Sequence, residues 1–102
     1  MALNTGPGID ISGSWKSSDG WRVQIEQIGN QVVATYSGQA GATGTLSGTF
    51  DGQQFVGTYQ THDTAGRVTA SGTQTLILNG NRLEGAWSSS DGRQGLWTLV
   101  RG

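Results

Sequence analysis

Cysteine is absent from all 102 residues, which removes disulfide frameworks, zinc–thiolate clusters and thiol nucleophiles. Proline occurs once, at Pro7, and histidine once, at His62. Charge is scarce as well: Asp, Glu, Lys and Arg make up 13% of the chain, about half the ~25% usual for globular domains. With a net charge of −1 there is no field to gather phosphate backbones or anionic headgroups, so neither nucleic acid nor a membrane is expected as partner. No apolar run approaches the ~20 residues of a helical span, and the start lacks a basic-then-apolar signal pattern. A cytosolic protein, or the mature form of a secreted one, is expected. No cofactor motif is present, and the length suits a single domain.

What the chain has in abundance is glycine, 18 residues, and a repeat. Gly13-Ser14-Trp15-Lys16-Ser17-Ser18-Asp19-Gly20 returns as Gly85-Ala86-Trp87-Ser88-Ser89-Ser90-Asp91-Gly92, with a looser copy at Gly57-Thr58-Tyr59-Gln60-Thr61-His62-Asp63. The shared pattern, apolar-x-Gly-x-aromatic-x-Ser/Thr-x-Asp, is that of a strand running into a polar turn.

Beyond a flexible lead over residues 1–8, apolar residues recur with period two. Ile9, Ile11, Gly13 and Trp15 share one face of strand one; Trp21, Val23 and Ile25 follow on strand two, and Val32, Ala34 and Tyr36 on strand three. Leu46, Gly48 and Phe50 mark strand four, and Phe55, Gly57 and Tyr59 strand five. Strand six, Arg67 to Leu78, turns Val68, Ala70, Gly72, Leu76 and Leu78 inward, and strand seven Leu83, Gly85 and Trp87. On strand eight both phases are apolar, Leu96 and Val100 competing with Trp97 and Leu99. Eight short strands joined by turns predict an all-β, antiparallel up-and-down meander over residues 9–102. Closing it into a barrel removes its edges.

Such a barrel sorts its connections into two ends. Gly29-Asn30, Asp51-Gly52 and Asn79-Gly80-Asn81 are tight hairpin signals. The connections at Ser17 to Gly20, Ser37 to Ala42, Thr61 to Gly66 and Ser88 to Gly92 are polar and lie beside the aromatic residues. Rings beneath polar loops are how a barrel mouth holds a small ligand, with apolar faces for contact and polar groups for orientation. The predicted site therefore takes Trp15, Trp21, Tyr36, Tyr59 and Trp87 as stacking surface and Ser17, Asp19, Ser89 and Asp91 as polar contacts. A sugar or a cyclic metabolite is the expected occupant. Two alternatives stay open: a structural or protein-interaction module whose rings fill the core, and a cofactor-free enzyme using the barrel interior.

The run Ile11-Ser12-Gly13-Ser14-Trp15 resembles the Gly-x-Trp opening of the calycins, most of all the avidin and streptavidin branch. That resemblance implies a small ligand-binding barrel that assembles as a tetramer, with the first-strand tryptophan packed near a basic residue of the last strand, here Arg101. The biotin contacts of that branch are not retained. Ser17 and Trp21 stand where asparagine and serine follow the first tryptophan, and Gly38 replaces the serine two residues beyond Tyr36.

A Ser-His-Asp set can be assembled from His62, Asp63 and a serine, though nothing selects one serine as nucleophile. Asp19 and Asp91 meet on one rim in the closed barrel, where turn formation is the simpler role for an Asp-Gly pair. Gln27 to Phe50 contains no charged residue, and the outward positions of strands three to six are hydroxyl-rich or apolar. A charge-free sheet face predicts a homo-oligomer joined through those strands.

Overall fold

Alternation of buried and exposed side chains builds most of the strands. In Gln31–Ser37, for example, Val32, Ala34 and Tyr36 are buried between exposed neighbours. The computed structural model describes residues 10–38 and 41–102; the expected lead over residues 1–8, and Ile9, lie outside them. Eight strands follow in order: β1 Gly13–Ser17, β2 Arg22–Ile28, β3 Gln31–Ser37, β4 Thr43–Phe50, β5 Gln54–His62, β6 Val68–Asn79, β7 Arg82–Ser89 and β8 Gln94–Arg101. Each pairs antiparallel with the next in a closed barrel. Closure is made by β1 against β8, with Trp15 opposite Arg101 and Ser17 opposite Leu99. This is the predicted meander, an arrangement compatible with the calycin architecture.

The turns divide by end. At one end Gly29 and Gly80 adopt φ of 62° and 66° in hairpins as tight as their sequences suggest. At the other, one turn is used four times. The first residue's N–H reaches the carbonyl of the fifth in Ser17→Trp21 (2.8 Å), Gly38→Ala42 (2.9 Å), Asp63→Arg67 (3.0 Å) and Ser89→Arg93 (2.7 Å). Each fourth residue is a glycine with positive φ: Gly20, Gly41, Gly66 and Gly92. This is the three-residue hairpin whose left-handed position glycine fills without strain. The polar loop expected from Thr61 starts later than that, because β5 continues through Thr61 and His62.

The core lies toward the tight-turn end. Ile11, Trp15, Phe50, Phe55, Leu83 and Leu99 are all at most 2% exposed. The Trp15 indole donates to the Ile11 carbonyl at 2.8 Å, and the Arg101 guanidinium stacks over its ring at 4.4 Å. The same guanidinium donates to the Ser12 and Asp10 carbonyls, both at 3.0 Å. The pairing of first-strand tryptophan with last-strand arginine is therefore present, and it closes this end of the barrel.

One reading of the sequence requires change, and one that it left open is decided. Val68, expected inward, is 53% exposed: the β5–β6 register slips by one residue between Thr61 and His62, which sets Val68 opposite His62. On β8 the cross-strand partners decide what alternation left open. Leu99 faces Leu83 and Trp97 faces Gly85 on the inside, leaving Leu96 83% exposed.

Candidate functional site

At the end formed by the four matching turns the barrel is not filled. A cavity of about 270 Å³ opens there, and five rings wall it: Trp21, Tyr36, Tyr59, Trp87 and Trp97. Leu46 and Ala70 add apolar surface, while Asp19, Thr61, Gln74, Ser89 and Arg93 supply the polar groups.

Room for the rings comes from glycine on the adjoining strand. A Cβ on Gly38 would stand 2.8 Å from the Trp21 ring, one on Gly44 2.1 Å from the Tyr36 ring and one on Gly95 2.7 Å from the Trp87 ring. Tyr59 and Trp97 face Gly72 and Gly85 across their ladders, where an added Cβ would first meet the main chain of the strand on the other side. A small residue opposite each large one lets the rings lie along the wall, so they frame space instead of occupying it. Three of them lock edge to face: Tyr36 to Trp21 at 5.2 Å between centroids and Tyr36 to Trp97 at 5.8 Å.

Polar bonds then hold the wall. The Tyr36 hydroxyl lies 3.0 Å from the Gln60 carbonyl, which accepts from it, and 2.7 Å from the Thr61 hydroxyl. Burial pushes its phenol above the ordinary value, against the opposing effect of the Thr61 hydrogen bond. Asp19 accepts from the Trp97 indole N–H at 3.1 Å and from the Ser17 hydroxyl. One carboxylate on the β1–β2 turn thus anchors a ring of β8.

Of the nine predicted site residues, Asp19, Trp21, Tyr36, Tyr59, Trp87 and Ser89 line the cavity together. The other three are placed elsewhere. Trp15 is 1% exposed in the core, turned toward the closed end by its bond to Ile11. Ser17 stands behind the rim, its hydroxyl accepting the Trp21 N–H at 2.8 Å. Asp91 is held in its own turn by the Arg93 Nε–H at 2.9 Å. The Ser89 hydroxyl, then the Arg93 N–H and guanidinium, keep Asp91 below the ordinary carboxylate range. Asp19 and Asp91 thus serve different neighbours, and no group of three metal-binding side chains exists among the described residues.

Trp97, Gln74 and Arg93 join the site unannounced. The apolar residues on both faces of β8 hid Trp97. Gln74 carried a usable signal, a polar side chain between Gly72 and Leu76 on an inward-facing phase. His62 lines a separate groove on the outer surface with Lys16 and Arg22, and among the described residues no serine or carboxylate hydrogen-bonds its ring. Compared with protein families, curated proteins and solved structures, the chain gives no match.

Proposed function

We propose that the protein is a small-ligand-binding barrel of avidin-like build that takes a cyclic compound, a sugar or a cyclic metabolite, into the five-ring cavity. The observation that carries this reading is the cavity itself. About 270 Å³ lies open under aromatic walls, at the point where side-chain packing would otherwise close a narrow barrel. That volume falls between the ~150 Å³ that accommodates benzene and the ~300 Å³ at which pockets for larger ligands begin. One ring or two fused rings match it. Four of the five rings are partly exposed, so the bound compound gains apolar contact while Asp19, Arg93 and Ser89 at the turns orient it. Tryptophan emission during titration with sugars and cyclic metabolites tests the reading: at least one should shift the spectrum saturably, and a silent panel would falsify it.

We also propose that two copies meet through the outer face of β3 to β6. Val33, Val56 and Ile77 are 55%, 50% and 48% exposed there. Their cross-strand neighbours are mainly serine and threonine, such as Ser47 beside Val33 and Thr75 beside Val56. Light scattering at micromolar concentration should give a multiple of 10.7 kDa; a monomer mass would remove the proposal.

A further inference from the structure

A buried acceptor without a donor stands at the cavity wall. Gln74 is 3% exposed, the most deeply buried polar side chain of those described, and it lines the five-ring cavity. Its Nε2 donates to the Thr75 carbonyl at 2.9 Å and to the Ala86 carbonyl at 3.1 Å. Those carbonyls lie where the β6–β7 pairing lapses, running from Gly72↔Ser89 to Gln74↔Trp87 and resuming at Ile77↔Glu84, and the Ala86 carbonyl also accepts from the Thr75 hydroxyl at 3.4 Å. The two partners also decide which way the amide lies, since turning it over would set Oε1 against carbonyl oxygens. With Nε2 held to the wall, the trigonal amide carries Oε1 away from the wall. No donor among the described residues reaches it. Buried polar atoms in folded proteins are nearly always paired, and an exception asks for a missing partner.

We propose that this partner is the ligand: Gln74 Oε1 accepts a hydrogen bond from an N–H or O–H on the inner edge of a flat, neutral compound of one or two rings. Lactams, imides, phenols and indole-type rings share that chemistry. The proposal rests on the ligand-binding reading above and narrows it. Neutrality follows from the surroundings, because Gln74 lies between Gly57 and Trp87 across its ladders, while the charged lining groups Asp19 and Arg93 belong to the rim turns. A charge carried that deep would be desolvated against a single neutral amide. A sugar carries hydroxyls around its whole circumference, and most would meet ring faces that offer no partner.

Calorimetric titration of the full chain with indole, and with benzothiophene, which keeps the two-ring outline without the N–H, tests this. Indole should bind about tenfold more tightly, the size of one well-made hydrogen bond. In Gln74→Met the two affinities should converge. The Gln74 side-chain amide resonance should move on adding indole to the wild-type protein. Equal affinities in the wild type overturn the role of Gln74 and leave the ligand-binding reading standing. Failure of both two-ring probes also overturns it, and the wider reading falls only if the sugar and metabolite panel is silent too. Because the decisive comparison uses wild-type protein, poor folding of the variant does not shield the proposal.

Discussion

Replacing Gly85 with alanine asks whether the barrel's tight coiling depends on backbone contact between strands. A Cβ at Gly85 would stand 1.8 Å from the Thr75 carbonyl oxygen, 2.6 Å from its carbon and 2.9 Å from Leu76 Cα. Ordinary carbon–oxygen contacts begin near ~3.3 Å, so β6 and β7 must part by more than an ångström. No rotamer relieves this, because the obstructing atoms are main chain. The ladder already lapses at Thr75 and Leu76, and the flanking pair Gln74↔Trp87 is the next to open. Overpacking costs about 1–3 kcal/mol, and one or two weakened ladder bonds add roughly 0.5–1.5 kcal/mol each. Reduced freedom of the unfolded chain returns only about 0.4–1 kcal/mol. A net loss of about 3 kcal/mol is expected, a large part of the ~5–15 kcal/mol that stabilises a typical domain. Gly92→Ala is the control. Nothing lies within 4 Å of its added methyl and only its φ of 92° opposes the change, a cost of about 1–2 kcal/mol. Urea unfolding followed by tryptophan emission measures both. If Gly85→Ala costs no more than Gly92→Ala, the close approach of β6 and β7 is not what this glycine provides.

Two further outcomes follow from the closed end and the turns. Arg101→Lys keeps the charge but loses the fork that spans the Ser12 and Asp10 carbonyls and covers Trp15; about 1–2 kcal/mol should go. The melting temperature should then fall by several degrees, roughly 4–8 °C per kcal/mol for a chain of this size, and an unchanged value would sink the capping role. Asp10 is held below its ordinary 3.8 by the Ser12 hydroxyl and N–H and by Arg101, Asp51 by the Gln54 and Gln53 N–H groups and Asp91 by Ser89 and Arg93. Depressed carboxyl values stabilise the fold above 3.8, and that contribution is lost as pH falls through the lower folded values. Tyr36 acts in the opposite direction, its raised phenol withholding ionisation from the fold and lowering stability as pH climbs above 10. Urea midpoints should therefore drop on both flanks, below about pH 4 and above about pH 10. A midpoint that stays level down to pH 2 would contradict the acid half.

The strands were legible because most of them alternate without ambiguity. Val23 and Ile25, Val32 and Ala34, Leu46 and Phe50 each put apolar side chains on one phase only, and a slip of one residue would expose them all. Where both phases are apolar, as in Leu96-Trp97, sequence alone offers no choice. The answer comes from across the ladder, where Trp97 is paired with Gly85 and Leu99 with Leu83, both on the inward phase of β7. Val68 was misplaced for a different reason: a one-residue register slip reverses the phase of a strand end, and nothing in Thr61-His62 announces it. Gln74 is the polar exception on the inward phase of β6, between Gly72 and Leu76, and such an exception is the informative residue of a strand.

The repeat itself shows how one motif serves two ends of a barrel. Trp15 and Trp87 occupy the same place in Gly-x-Trp-x-Ser-Ser-Asp-Gly, yet one is sealed in the core and the other walls a cavity. Cross-strand partners make the difference. Trp15 faces Val23 on one side and Arg101 on the other, a flank too bulky for a ring to lie flat, and its N–H turns to the Ile11 carbonyl below. Trp87 faces Gly95 and Gln74, so its ring lies over the glycine, and the polar neighbour that folds back on the wall leaves the space in front of it clear. Exchanging Gly95 for valine should therefore turn Trp87 into the cavity as a side chain that packs there. The cavity should shrink and stability should hold within about 1–3 kcal/mol, the range for overpacking against a movable ring. Binding of any two-ring probe should be lost while the strand-by-strand amide spectrum is kept. A Gly95→Val protein that still binds such a probe at wild-type affinity would mean that the glycine–aromatic pairs do not shape the mouth.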